Sequence, residues 1–502
     1  MSLVNQGKLL NVDADAGIGE GRLLIDGALV GAQSGKRYTN INPATEAVVG
    51  MVADAGPEDA KLAVAAARRA FDQTDWSTNL AFRKKCLSQL RDGLRAAAPQ
   101  LREQAVAEVG APMAITANGP QGDGPISILD YYIDVMGSYH WDSELSVVNT
   151  MGVPSKRLIW KEAAGVVAAI SPWNFPFQIN MAKVCPALAA GCTVVLKSAP
   201  ETPWTATIIG KIAAEQTDIP PGVLNVLTSS DPSAVGEVLT GDPRVDVVSF
   251  TGSTGTGRRI MAQASNTIKR VFLELGGKSA NIILDDADFN TALLSGLAVC
   301  YHAGQGCALP TRLLLPKSRY EEAIAFLKYC FAQIPYGDPF GEGQIMGPLI
   351  SRKQQQRVLE YIEIGKREGA RLVCGGGKPA QLVQGFYVEP TLFADVSNDM
   401  RIAQEEIFGP VLVAIPYADD DEAARIANDS IYGLSGSIFS ADLQRALRLA
   451  RRIRTGTMNI NGANFFAPDS PFGGYKQSGI GREMGIAGFE EYLESKTVAI
   501  PG

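Results

Sequence analysis

Two histidines and seven cysteines in 502 residues narrow the available chemistry before any fold is considered. With only His140 and His302 present, zinc sites built on several histidines are excluded. A Ser-His-acid triad would have to use one of these two, and neither GxSxG nor HExxH occurs in the chain. An acid or base catalyst is therefore expected to be a carboxylate, Lys or Cys. Cys307 stands in Ala303-Gly304-Gln305-Gly306-Cys307-Ala308, where small neighbours let a substrate approach. A thiol of ordinary pKa, about 8.5, is only slightly ionised at neutral pH and needs local activation to attack a carbonyl. Its competing reading is an inert packing cysteine. Glu274 closes the apolar run RVFLEL just before Gly276-Gly277. Burial there raises a carboxyl pKa towards that of a general base, although a strand-edge Glu also serves as a salt-bridge partner. Asn174, in Ser171-Pro172-Trp173-Asn174-Phe175-Pro176 after the apolar run GVVAAI, offers a side-chain amide to a developing oxyanion; the alternative is a Pro-Trp packing corner.

Two further segments suit a nucleotide. Lys197 ends the run TVVLK about twenty residues after that loop, where dinucleotide-binding folds place the group that meets the ribose. A solvated strand end is the other reading. Phe250-Thr251-Gly252-Ser253-Thr254-Gly255-Thr256-Gly257 follows a strand pattern and precedes a helix, so its N–H groups could cradle a phosphate. Its glycine order is not GxGxxG, and Gly277-Lys278-Ser279 does not complete a P-loop because Phe272 stands where the first Gly is required. A tight turn explains it as well.

Positioning these residues requires a large α/β scaffold. The chain is about three domain lengths, and 46% apolar content supplies the cores. Formal charge is -7 from 46 basic and 53 acidic residues with no sustained run of either sign, which points away from nucleic acid and anionic membranes as partners. The opening MSLVNQGKLLNVDADAGIGE lacks the pattern of a signal peptide, and no segment reaches the roughly 18 apolar residues that span a bilayer. An odd number of cysteines without a paired framework fits a reducing compartment, so a soluble cytoplasmic protein is expected. After a hairpin-like opening at Leu23 to Thr39, Pro57 to Gln73 and Ala81 to Ala98 read as amphipathic helices. From Gly165, short apolar runs alternate with helix-length segments, which predicts a mainly parallel sheet with crossover helices. A second α/β stretch starts near Ser279 and runs to the Gly-rich Phe472 to Gly481. KRLIWKEA (156–163) and SKTVAI (495–500) read as strands outside both cores, able to pair with each other or with another subunit.

Taken together, PWNFP, VVLK, FTGSTGTG, LELGGKSA, GQGCA, EEIFGPV and PFGGYKQSGIGRE, in this order and spacing from about Leu23 to Ile500, resemble the NAD(P)-dependent aldehyde dehydrogenase superfamily. The resemblance implies an α/β fold with a Rossmann-like cofactor domain (1–142 and 162–275), a catalytic domain (276–485) and a small β oligomerisation element (143–161 and 486–502), assembled as a homodimer or homotetramer. It implies that the Cys307 thiolate attacks the aldehyde while Asn174 and the Cys307 N–H hold the oxyanion. Hydride then passes to the nicotinamide, and Glu274 activates the water that hydrolyses the thioester. Glu406 and Phe408 match the nicotinamide-ribose positions, Lys197 the adenosine ribose, and Trp173, Gly252 and Ser253 the pyrophosphate end; Gly257 and Leu275 complete the cofactor set. No metal enters the scheme. NAD is the expected cofactor, with NADP left open because Pro200 stands where NAD-preferring relatives often carry Glu, and Glu201 follows it. His302 replaces an Asn common in the family. The family's substrate tunnel maps to Phe175, Phe177, Ile179, Ala182 and Phe466, and the small Ala182 favours a hydrophobic or aromatic aldehyde over an acidic semialdehyde. The rival readings are a CoA-acylating dehydrogenase, which retention of Glu274 argues against, and a non-catalytic binding or lens-structural protein, which need not keep both Cys307 and Glu274.

Overall fold

Five apolar runs of the first α/β region become the parallel strands β1 (Val166–Ile170), β2 (Thr193–Lys197), β3 (Leu224–Leu227), β4 (Val247–Thr251) and β5 (Arg270–Glu274) in the computed structural model, which describes residues 21–117 and 119–502. The opening twenty residues read above lie outside the described ones. The lateral order is β5-β4-β1-β2-β3. The chain therefore winds outward in both directions from the boundary between β1 and β4, and the loops leaving the carboxyl ends of these two strands diverge there, opening a crevice. Every residue of β1 to β4 is buried, because helices cover both sheet faces; this is why the runs are continuously apolar rather than alternating.

The amphipathic segment Pro57–Gln73 forms a helix with those bounds, opened by a Pro in its first turn. Its neighbour is Leu80–Ala96, capped by Asn79, whose side chain accepts from Phe82 N. The opening hairpin is Leu23–Ile25 with Ala28–Val30, an antiparallel addition to the β3 edge. Arg37–Ile41, expected within that hairpin, instead pairs with Val48–Ala53 in a separate two-stranded sheet. Helix α1 (Pro176–Ala190) follows β1 and is buried at every position, ending at Gly191 in a left-handed conformation. Helix α2 (Thr254–Ala264) follows β4.

A second parallel sheet holds β6 (Ser279–Ile283), β7 (Pro310–Pro316), β8 (Thr391–Ala394), β9 (Val411–Tyr417), β10 (Gly436–Phe439) and β11 (Asn459–Ile460), in the order β8-β9-β7-β6-β10-β11, with Arg371–Cys374 antiparallel on the β8 edge. Gly479–Ile480 crosses back from this region to pair with β5 of the first sheet. The outlying strands build a three-stranded antiparallel sheet from Asp142–Thr150, Val153–Ala163 and Leu493–Pro501. The short helix Gly485–Glu490 before it plugs Phe489 into the first core, its ring 5.9, 5.1 and 5.7 Å from those of Tyr132, Tyr139 and Trp141.

Candidate active site

Where the carboxyl ends of the first sheet face the second domain, a cavity of about 550 Å³ contains both Cys307 and Glu274 on its wall. Helix α1 and the residue before it contribute Phe175, Gln178, Ile179 and Ala182. This i, i+3, i+4, i+7 spacing is one face of a 3.6-residue helix. Phe177 is a correction to the expected tunnel: it lies two residues, about 200°, round the helix from Phe175 and packs at 1% exposure in the core behind α1. Phe466 lines the cavity and stays 39% exposed.

Cys307 is presented by a tight backbone turn. His302, Ala303 and Gly304 have φ of 50°, 52° and 74°, three consecutive left-handed residues. A Cβ on Gly304 would lie 2.0 Å from the Gly409 carbonyl oxygen, so only glycine fits. The thiol keeps some exposure on the cavity wall but is enclosed enough that burial pushes its pKa well up, with Glu274, Glu406 and Glu483 adding to the rise. Glu274, 1% exposed at the end of β5, has both carboxylate oxygens without a hydrogen-bond partner. Burial lifts its pKa far above the usual carboxylate range; Glu483 raises it further, while Lys183 and Arg482 pull it down.

The side chains behind Glu274 were not legible as a site. Lys183 of α1 and Glu483 form a buried ion pair at 2.7 Å, their side chains 0% and 5% exposed. Lys183 also donates to Ser249 Oγ at 3.1 Å, and Thr251 Oγ1 donates to Glu483 Oε1 at 3.3 Å. Thr251 of β4 is the register partner of Glu274 on β5, which sets Glu274 beside this network. A lysine on a helix buried all round was the one available signal, since such a charge must find a partner.

Asn174 is 4% exposed and is not on the cavity wall. Its Nδ2 donates to the Gln305 carbonyl at 2.9 Å, two residues before Cys307. One of its two N–H donors is thereby used, leaving the other for a ligand. Gln121 Nε2 donates to the Asn174 carbonyl at 2.6 Å. His302 hydrogen-bonds the Asn174 main chain and lies with its ring 5.1 Å from that of Phe175; burial lowers its pKa to about 4, so it is neutral. Gln121 and His302 thus hold Asn174 from behind.

The residues expected at the cofactor flank the β1/β4 crevice. Trp173 meets Phe408 edge-on at 5.4 Å. Glu406 accepts from Gly277 N at 2.9 Å, and a Cβ on Gly276 would fall 2.6 Å from Glu406 Oε2. Gly252 N donates to the Glu274 carbonyl at 3.0 Å, and Ser253 caps α2 by accepting from Thr256 N at 3.3 Å. Gly257 packs on Leu275, whose side chain a Cβ would meet at 2.8 Å. Lys197, 2% exposed, donates to the Ser198 carbonyl at 3.0 Å; burial lowers its pKa to about 8, opposed by Glu201 and Asp231. The carboxylate facing Lys197 is therefore that of Glu201, one residue beyond Pro200. A helix N-terminus at the switch point, a buried cation and half-buried carboxylates near it suit the phosphates and riboses of a dinucleotide. Among the described residues no group of His, Cys, Asp and Glu could hold a metal ion.

Comparison with known proteins agrees with this arrangement. The model of the aldehyde dehydrogenase family matches residues 29–498. A 3-succinoylsemialdehyde-pyridine dehydrogenase of Pseudomonas sp is 42% identical over 94% of this chain and 97% of its own. Betaine aldehyde dehydrogenase from Staphylococcus aureus, solved in complex with NAD+, superposes with a TM-score of 0.91 at 35% identity, covering 96% of this chain and 95% of the other. A mutant of aldehyde dehydrogenase C from Pseudomonas syringae, complexed with NAD+ and octanal, has a TM-score of 0.90 at 38% identity, over 95% and 96%.

Proposed function

The chain belongs to the aldehyde dehydrogenase family and is an aldehyde-oxidising enzyme; from that premise we propose that it converts an uncharged hydrophobic or aromatic aldehyde to the carboxylic acid with NAD, through covalent intermediates on Cys307. The observation that carries this reading is the cavity itself: Cys307 and Glu274 share one wall, and among the described residues no lysine, arginine or histidine lines it. An acidic semialdehyde would find no cation there and would meet Glu274 and Glu483. The Pseudomonas relative named for a pyridine-bearing semialdehyde, and the octanal bound in the Pseudomonas syringae mutant, support the same class.

Glu274, with its oxygens unengaged, takes the proton of the Cys307 thiol. The thiolate forms the carbon–sulfur bond as the carbonyl electron pair moves to oxygen, where the free N–H of Asn174 and the backbone N–H of Cys307 receive it. Lys197, Glu406 and the α2 N-terminus would hold NAD, which would accept the hydride from the substrate carbon; as that C–H bond breaks, the oxyanion re-forms its carbonyl and the acyl group remains on Cys307 as a thioester. Once Glu274 has released the thiol proton to solvent, it takes a proton from water as the water oxygen attacks the thioester carbon; the carbon–sulfur bond breaks, its electron pair stays on sulfur, and Cys307 leaves as the thiolate. The buried, unpaired state of Glu274 supports hydrolysis over transfer to CoA. Self-association through the sheet of 142–163 and 493–501, which exposes Val147 and Val153, completes the reading, together with a cytoplasmic location suggested by seven free cysteines.

The test is NADH formation across neutral, aromatic and acidic aldehydes, with the acid product quantified, for wild type and Cys307→Ala. Loss of all turnover in the variant and a preference for neutral substrates are expected. Turnover surviving the substitution would refute the role of Cys307, and a preference for the acidic aldehyde would refute the substrate class.

A further inference from the structure

The cavity wall opposite α1 has a different chemistry from the apolar helix. Asn281 of β6, Ser437 of β10 and Asn459 of β11 are direct register partners across adjacent parallel strands. Register partners in a sheet project to the same face, so the three side chains form one polar row. Ser437 and Asn459 line the cavity that contains Cys307. So does Ser295, whose hydroxyl accepts from Asn281 Nδ2 at 2.7 Å and donates to the Ala292 carbonyl at 2.5 Å.

The hydrogen-bonding capacity of this row is not spent within the protein. Asn459 Oδ1 accepts from Phe465 N at 3.1 Å, but its Nδ2 makes no hydrogen bond among the described residues. The Ser437 hydroxyl makes none either. Asn281 Oδ1 is buried without a partner at 0% residue exposure. Unmatched buried amide groups are destabilising, so a sheet face that should be apolar carries them at a cost to folding. Gly436, next to Ser437, also lines the cavity.

We propose that Asn459 and Ser437 form a subsite for a neutral acceptor oxygen, ketone or hydroxyl, carried by the aldehyde substrate away from its reacting carbon. Asn459 Nδ2 and the Ser437 hydroxyl donate to that oxygen, while the α1 face and the stacked rings of Phe465 and Phe472, 5.7 Å apart, enclose the carbon skeleton. A carboxylate at the same place would lack a cation and share the cavity with Glu274 and Glu483. The substrate class is therefore an apolar aldehyde bearing one uncharged oxygen, rather than a plain alkanal or a dicarboxylic semialdehyde. This inference rests on the reading of Cys307 as the nucleophile facing this cavity.

The experiment compares kcat/KM for n-alkanals and keto-alkanals of matched length, through a chain-length series, in wild type, Asn459→Leu and Ser437→Ala. Wild type is expected to prefer the keto-alkanal by about 10-fold or more at one chain length, mostly through KM. Asn459→Leu should erase that preference and leave plain alkanals within about 3-fold, with Ser437→Ala producing a smaller change in the same direction. Calorimetric binding of the best keto-alkanal to Cys307→Ala, and its weakening in the Asn459→Leu double variant, reads the subsite without turnover. No preference at any length, or equal losses for both aldehyde series, would overturn the subsite. Turnover retained by Cys307→Ala would instead overturn the nucleophile assignment.

Discussion

Replacing Glu483 by Gln isolates the electrostatic control of Glu274. Thr251 donates to Glu483 Oε1 at 3.3 Å and is the register partner of Glu274 on the adjacent strand. Adjacent strands lie about 4.8 Å apart, so Thr251 brings Glu483 into the neighbourhood of Glu274. At an effective dielectric of about 20, two unit charges about 7 Å apart interact by about 2 kcal/mol, so a neighbouring carboxylate is a substantial influence on a buried base. The sign follows from the role: Glu274 acts as a base only when ionised, burial and Glu483 both hold its pKa up, and Lys183 holds it down. Glu483→Gln deletes one raising charge and leaves Lys183 unneutralised, so both changes lower the Glu274 pKa. The acid limb of kcat against pH, followed by NADH formation at saturating substrates, should move to lower pH by about 1 to 2 units. Gln keeps an acceptor for Lys183 and Thr251, and a thermal midpoint measured alongside separates lost folding from shifted titration. An acid limb that stays in place, or moves to higher pH, refutes Glu274 as the base titrating beside Glu483.

Asn174→Ala should lower kcat by about 100- to 1000-fold while the Cys307 thiol remains reactive towards iodoacetamide; an unchanged kcat would remove Asn174 from the reaction. Gln121→Ala deletes the 2.6 Å donor to the Asn174 carbonyl and should cost about 10-fold in kcat with little change in aldehyde KM, whereas a KM effect alone would place Gln121 outside the positioning of Asn174. Glu201→Gln removes the carboxylate facing Lys197, so the NADP-to-NAD ratio of kcat/KM should rise by about 10-fold; a constant ratio places discrimination elsewhere. Gly304→Ala forces a Cβ to within 2.0 Å of the Gly409 carbonyl in a left-handed conformation, and should cost at least about 2 kcal/mol in denaturant unfolding. Wild-type stability in that variant would show that the turn before Cys307 adapts freely.

Local pattern carried much of this molecule. Continuous apolar runs marked β1 to β5 because a strand covered on both faces has no reason to alternate, and the period of Pro57–Gln73 marked a helix covered on one. Cys307, Glu274, Gly252 and Glu406 could be nominated from the sequence because each sits in a short motif whose chemistry is local to it. The long-range pairings could not. Lys183 and Glu483 are 300 positions apart, and nothing in either neighbourhood names the other. Phe177 looked like a tunnel residue until the phase of α1 about its axis was set by packing against Tyr132 and its neighbours. Asn174 offered an amide in the sequence, but the direction of that amide, towards the Gln305 carbonyl just before Cys307, came from contacts with Gln121, His302 and Gln305.

The sequence by itself determined the family and the order of secondary elements and nominated Cys307 and Glu274 as nucleophile and base, because these depend on residue type and on spacing within a strand or a turn of helix. Only the tertiary structure decided which charge faces Glu274, which face of α1 lines the cavity, and that Asn281, Ser437 and Asn459 stand in one row. Those depend on strand register and domain packing, where the energies come from contacts between segments hundreds of residues apart.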